Sequence, residues 1–286
     1  MKPERVVVVL SGGGMKAMAH IGVLRALEQA GIVPAGIVAV SAGALVGALY
    51  AGGMPYDELV GRVTRLRRED LAVLNRGALI IRGVGARSVL KPEPLRALLN
   101  RILPFGGFDA MRIPLRIPVT DLDRGEIEVF GAAGRIDCPL ADVVYASMAL
   151  PPYLPPLGLG GRTCADGGLL QVLPLDLVLP GEADLVIASD VGPVHKAHPS
   201  WRTLAPALIS LFDRSLTIAM ADQKERVIAA WRADPTRPPL LLVRPAVDPQ
   251  GTFAFDKTVD FIEAGYRAAH EALESRRQTA DGGRRI

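Results

Sequence analysis

The chain has 286 residues, of which 49% are hydrophobic and 22% charged, and its formal net charge is +3. That composition excludes a disordered chain, and so small a charge excess gives no support to nucleic-acid binding. Cys138 and Cys164 stand alone rather than in a Cys-x-x-Cys pair, so neither a zinc site nor a disulfide framework is indicated and a reducing, cytoplasmic setting is expected.

Residues 6–10 (VVVVL) form one apolar run, which predicts a strand buried on both faces of a parallel sheet. The run is too short for a signal-peptide core. Gly12-Gly13-Gly14 reads as a tight turn. Residues 15–30 then place Met18, Ile21, Leu24 and Leu27 at helical spacing, with Gly31 positioned to close the helix. A second strand is predicted at 37–40 and a second helix at 42–51, closed by Gly52-Gly53. This β-α-β-α opening marks an α/β fold with a parallel sheet. Residues 29–56 carry no charge and are long enough to cross a bilayer. Pro34, Gly36, Gly43 and Gly47 break them into a buried strand and a buried helix, so no transmembrane span is expected.

Farther along, 57–74 reads as one amphipathic helix with a solvated arginine face, and 92–103 as another helix. Strands are expected at 115–121 and 126–130, joined at Asp123-Arg124-Gly125. A short helix at 140–147 is stopped by Pro151-Pro152, and 155–161 reads as a Pro/Gly-rich loop. A buried strand at 185–189, a long helix at 204–230, a strand at 240–244 and a helix at 259–275 complete the pattern. One domain over 1–275 is expected, with a flexible basic tail over 276–286.

The chemistry starts at Ser41. An apolar strand stops at this serine and a run of small residues follows at once. A sharp strand-to-helix turn of that kind lifts a hydroxyl clear of the backbone as a nucleophile. The usual pattern is G-x-S-x-G, and here Ala39 takes the first position. The turn Gly12-Gly13-Gly14, between a strand and a helix, aims backbone N–H groups at negative charge. Two uses compete: a nucleotide phosphate, or the oxyanion of an ester under attack. Gly12-x-Gly14-x-x-Ala17 fits the dinucleotide fingerprint, yet the acid expected at the end of the second strand is missing and Ser41 stands there instead.

Three segments together resemble the patatin-like phospholipases. Gly12-Gly13-Gly14-Met15-Lys16-Ala17 is similar to that family's glycine-rich oxyanion loop, Ser41 sits in its elbow, and Asp166-Gly167-Gly168 matches its aspartate motif. Ala146-Ser147-Met148-Ala149-Leu150-Pro151 is a softer fourth match. Ala39, Ala17 and Val172 depart from the family's usual glycines and asparagine. The resemblance implies a three-layer α/β/α fold with a mainly parallel sheet. It also implies a serine acyl hydrolase acting through a Ser41–Asp166 dyad, with the oxyanion held by Gly12, Gly13 and Gly14. Lys16 and Ala42 are candidates for substrate contact. The implied partner is a lipid or lysolipid, met at a membrane surface, and no metal or cofactor is called for.

Each residue also has a plainer reading. Ser41 is placed to cap a helix, Asp166 to make an Asp-Gly turn, Lys16 to lie on a solvated helix, His20 to pack in the core and Ser147 to end a helix. Asp166 followed by His195 or His198 would satisfy the chain order of a Ser-His-Asp triad. A catalytically weakened protein that binds acyl chains or a partner is the alternative function. Residues 150–159 and 79–84 are the segments placed to line or cover an acyl channel, and both read equally well as core.

Overall fold

The computed structural model describes residues 4–71, 73–75, 88–194, 207–249 and 251–282. Its frame is an eight-stranded sheet, with strands numbered in chain order. β1 (Val6–Leu10) runs parallel between β2 (Gly36–Ala39) and β7 (Leu185–Ser189). β3 (Leu115–Asp121) lies parallel beyond β2, and β8 (Leu240–Val243) parallel beyond β7. β4 (Glu126–Gly131), β5 (Leu157–Leu159) and β6 (Arg162–Asp166) extend the sheet in antiparallel sense.

The all-apolar strands follow from burial on two faces. Val6, Val8 and Leu10 of β1 enter one core, and Val7 and Val9 enter another. The larger core packs against α1 (Ala19–Gln29), α2 (Ala42–Ala51) and the C-terminal helix α9 (Thr258–Gly282) through Leu24, Leu45 and Phe261. The smaller core packs against the long α8 (Ala207–Ala233) through Ile228 and Trp231. Each such side chain contributes about 1.5–3 kcal/mol on burial. The result is the three-layer α/β/α fold with a mainly parallel centre. Because β1 neighbours both β2 and β7, the segments after all three strands gather at one edge, where ligands of such sheets bind.

Several expectations are corrected. The helix read over 57–74 is two pieces, α3 (Tyr56–Val63) and α4 (Arg68–Leu71). Between them the Thr64 hydroxyl donates to the Val60 carbonyl (2.8 Å) and the Asp70 carboxylate accepts from the Arg67 N–H (2.9 Å). Such local bonds compete with helix continuation. The loop read over 155–161 contains β5 and leads into β6, joined by Gly160-Gly161, both at positive φ as a two-residue hairpin turn requires. The tail read over 276–286 is helical as far as Gly282, and Arg276 pairs with Glu4 at 2.6 Å. Arg276 and Arg277 extend a helix already anchored by its apolar stripe. Residues 283–286 lie outside the described residues, as do 79–84, His195 and His198. Leu154 and Leu159, from the expected channel segment 150–159, belong to the larger core.

Candidate active site

Ser41 stands between the end of β2 and the start of α2, at φ 56° and ψ −132°. Positive φ in a non-glycine residue costs on the order of 1–3 kcal/mol and persists only where the surroundings impose it. Close packing imposes it here. A side chain on Gly43 would place its Cβ 2.5 Å from the Ser11 carbonyl oxygen, so the first turn of α2 rests directly on the end of β1. The methyl of Ala39, which departs from the elbow pattern, meets Gly47 one helix face away, where a Cβ would lie only 2.8 Å from it. The missing space at position 39 is thus supplied by Gly47.

The Ser41 hydroxyl makes no capping bond to α2. It donates instead to Asp166 Oδ2 at 2.8 Å. Topology brings the two together. β2 pairs with the first part of β3, at Leu115 and Arg116, and then leaves it. β6 takes over the same edge of β3 from the opposite direction, with Asp166 opposite Val119. The two strands therefore end head-on, one in Ser41 and the other in Asp166. The Asp166 main chain is fixed by its N–H to the Ala149 carbonyl (3.1 Å) and by the Thr120 hydroxyl to its own carbonyl (2.9 Å). Asp166 Oδ1 accepts from the Gly168 N–H at 2.7 Å, in the Asp-Gly turn that opens α7 (Gly168–Gln171; α3 and α4 precede α5, Pro92–Ile102, and α6, Leu140–Met148). Burial pushes the carboxyl up to about 7, against the pull of the Gly168 N–H and the Ser41 hydroxyl.

The glycine turn packs on the serine. A Cβ at Gly12 would lie 3.1 Å from Ser41 Cβ. The Gly12 N–H, expected to face an oxyanion, donates to the Val172 carbonyl at 3.0 Å and is consumed in holding the loop. Gly13 and Gly14, at the head of a short 3-10 helix (Gly14–Met18), keep N–H groups with no acceptor among the described residues. Val172, the other departure, serves through its backbone: its carbonyl anchors Gly12 and its N–H reaches Gln223 Oε1 at 3.1 Å.

His20 is fully buried behind the loop. Its Nε2 lies 2.9 Å from the Ser11 carbonyl and its Nδ1 2.7 Å from Ser189 Oγ. A carbonyl only accepts, so Nε2 carries the proton and Nδ1 accepts from Ser189. Burial lowers this imidazole to about 4, which leaves it neutral and structural. Lys16 is not on a solvated face. It is 4% exposed, beneath the segment Gly251–Phe253 and among Lys224, Asp190 and Asp248. Burial, with Lys224, lowers its ammonium to about 8. A head-group contact from Lys16 at the surface is therefore not supported. Ala42 opens α2 beside Ser41 and is buried.

Ser147 does more than end a helix. It is completely buried, accepts from the Ser41 N–H at 2.9 Å, and donates to the Pro118 carbonyl at 2.8 Å. Its place in the softer fourth motif was the only signal in the sequence. Among the described residues, no cluster of His, Cys, Asp or Glu is arranged to hold a metal ion, and no helix is long and apolar enough to cross a membrane.

Residues 8–179, more than half of the chain, match the family model for patatin-like phospholipase. The chain is 30% identical over 229 residues to an uncharacterised NTE family protein of Mycobacterium tuberculosis, a match covering 77% of this chain and 61% of that protein. It is 28% identical over 295 residues to the lysophospholipase NTE1 of Coccidioides immitis, covering 95% of this chain and 18% of that protein. It is also 30% identical over 189 residues to the patatin-like phospholipase domain-containing protein 6 of Mus musculus, covering 65% of this chain and 13% of that protein. The chain thus spans less than two thirds of each of these relatives. Among solved structures, VipD from Legionella pneumophila superposes with a TM-score of 0.49 at 16% identity, covering 95% of this chain and 67% of that one. With the family model spanning the glycine loop, the elbow and the aspartate motif, this chain belongs to the patatin-like phospholipase family.

Proposed function

We propose that this chain is a serine acyl hydrolase that releases fatty acid from a phospholipid or lysophospholipid through a Ser41–Asp166 dyad. The observation that carries the reading is the 2.8 Å bond from the Ser41 hydroxyl to a fully buried carboxylate whose pKa is raised to about 7. A free aspartate, at about 3.9, is too weak a base for this task. A base near 7 is half ionised at neutral pH and strong enough to take a proton in the transition state.

In this reading Ser41 attacks the acyl carbonyl as its proton passes to Asp166. The carbonyl π electrons move to oxygen, and the N–H groups of Gly13 and Gly14 receive that oxyanion, each worth about 3 kcal/mol. The tetrahedral intermediate collapses, and the leaving alcohol takes the proton from Asp166. Water, deprotonated by Asp166, then attacks the Ser41 ester, and the fatty acid leaves as Ser41 regains its proton. His20 takes no part in the path, since it is neutral and engaged with Ser11 and Ser189. The name of the fungal relative, lysophospholipase, supports a single-chain lipid as the first substrate to try.

The test is turnover of a lysophospholipid by wild type, Ser41→Ala and Asp166→Asn. Wild type is expected to release fatty acid, with a rise in rate once the substrate aggregates. Both variants are expected to lose at least about 10³-fold in kcat, as when a nucleophile or its base is removed. A folded wild type with no turnover of any lipid ester would leave the alternative, a protein that binds acyl chains without cleaving them.

A further inference from the structure

We propose that Ser147 is a positioning residue of the dyad, and that the last turn of α6 is the jig that sets the spacing between Ser41 and Asp166. The proposal rests on the hydrolase reading for its kinetic consequences, but not for its geometry.

The sheet forks beside the dyad. β2 leaves β3 after Val38, and β6 joins only at Val119, so the main chain between them faces no strand on that edge. Two backbone groups are stranded there: the buried Pro118 carbonyl and the partly buried Ser41 N–H. Left unpaired, such groups are costly. One hydroxyl satisfies both. A carbonyl only accepts, so the Ser147 O–H proton goes to Pro118, and an Oγ lone pair receives the Ser41 N–H. Two residues on, the Ala149 carbonyl accepts the Asp166 N–H at 3.1 Å. A single helix end therefore grips the nucleophile on one side and the base on the other.

The grip on Ser41 acts at a strained residue. With φ at 56°, the peptide before Ser41 is turned so that its N–H points toward α6 rather than into a β2–β3 ladder. The direction of that N–H fixes the peptide plane, and with it the direction in which Cβ and Oγ leave the backbone. If Ser147 lets go, the packing of α2 on β1 is left as the remaining restraint on that φ, and rotation of the released peptide swings Oγ away from Asp166. Asp166 then loses one of the two hydrogen bonds that favour its ionised form, and its acidity weakens further.

The test compares Ser147→Ala with Leu99→Ala, a fully buried truncation in α5 that carries no bond to the dyad. Ser147→Ala is expected to lower kcat about 10- to 100-fold, the scale of a misplaced reacting group, with KM unchanged within about twofold. The acidic limb of its pH–rate profile should move above the wild-type midpoint. In its crystal structure, Ser41 Oγ should stand beyond hydrogen-bond reach of Asp166, more than about 3.5 Å. Leu99→Ala, corrected for the folded fraction, should keep the wild-type kcat and limb. Should Ser147→Ala fail to fold, Ser147→Cys keeps the volume with a weaker donor and is expected to shift the same three readouts in the same direction. The proposal is overturned if the position-147 variants match Leu99→Ala in kcat and limb and keep the Ser41–Asp166 bond at its wild-type length. If wild type hydrolyses no ester, the hydrolase reading fails, while the distance in the Ser147 variant still decides the positioning role.

Discussion

Replacing Asp166 with asparagine should make the protein more stable, and increasingly so as pH rises. The folded carboxyl titrates near 7 and the unfolded one near 3.9. Between those values the native state holds a proton that the unfolded state has lost. Linkage then makes wild-type stability fall with rising pH across this window, level off above about 7, and be fully retained below about 4. Three pH units at about 1.4 kcal/mol each give a difference on the order of 4 kcal/mol between pH 4 and pH 8. Asparagine carries no charge to bury, can still accept from Gly168 N–H, and can donate to Ser41, so its own contribution should not vary with pH. The assay is urea unfolding of wild type and Asp166→Asn at pH 5, 6, 7 and 8, read as the difference at each pH so that other titrating groups cancel. A gap that widens in favour of the variant up to pH 7 and then stays constant is expected. A gap independent of pH would show that Asp166 is not a high-pKa carboxyl, and the base in the proposed dyad would lose its physical support.

Three further outcomes are expected. Gly47→Ala forces a methyl to within 2.8 Å of Ala39 Cβ and should cost about 1–3 kcal/mol by overpacking; adding Ala39→Gly should recover most of it, and thermal melts of the four proteins in the cycle give that coupling directly. His20→Ala strands the buried Ser11 carbonyl and Ser189 hydroxyl, so a loss of about 2–4 kcal/mol by chemical denaturation is expected, together with a fall in kcat from a loosened glycine loop; unchanged stability would contradict the buttressing role. The acidic limb of kcat/KM for wild type should fall near pH 7, with activity rising as Asp166 ionises, and a limb near 4 would point to a solvated carboxylate.

The opening strands, the elbow and the aspartate motif were legible in the sequence because each is written in side chains close together in the chain. Val6–Leu10 announces a two-faced strand by lacking any polar residue, and Ser41 stands out against the small residues around it. What was not legible is long-range or made by backbone. The Gly12 N–H is taken by a carbonyl at residue 172, and a carbonyl leaves no mark in the sequence. β6 was missed because Arg162–Asp166 has only two apolar side chains inside it, too few to show a period, so the head-on meeting of β2 and β6 had no trace. Lys16 looked solvated because the segment that covers it, Gly251–Phe253, lies far along the chain. Ala39 looked like a defect until Gly47, eight residues on, proved to be its complement.

The proposed activation of Ser41 by Asp166 is decided by fluorophosphonate labelling, read by intact mass and peptide mapping at several pH values. One covalent adduct on Ser41 is predicted, formed faster as pH rises through about 7, absent in Ser41→Ala and strongly slowed in Asp166→Asn. A folded wild type that takes up no label, or one labelled at another residue, would contradict it.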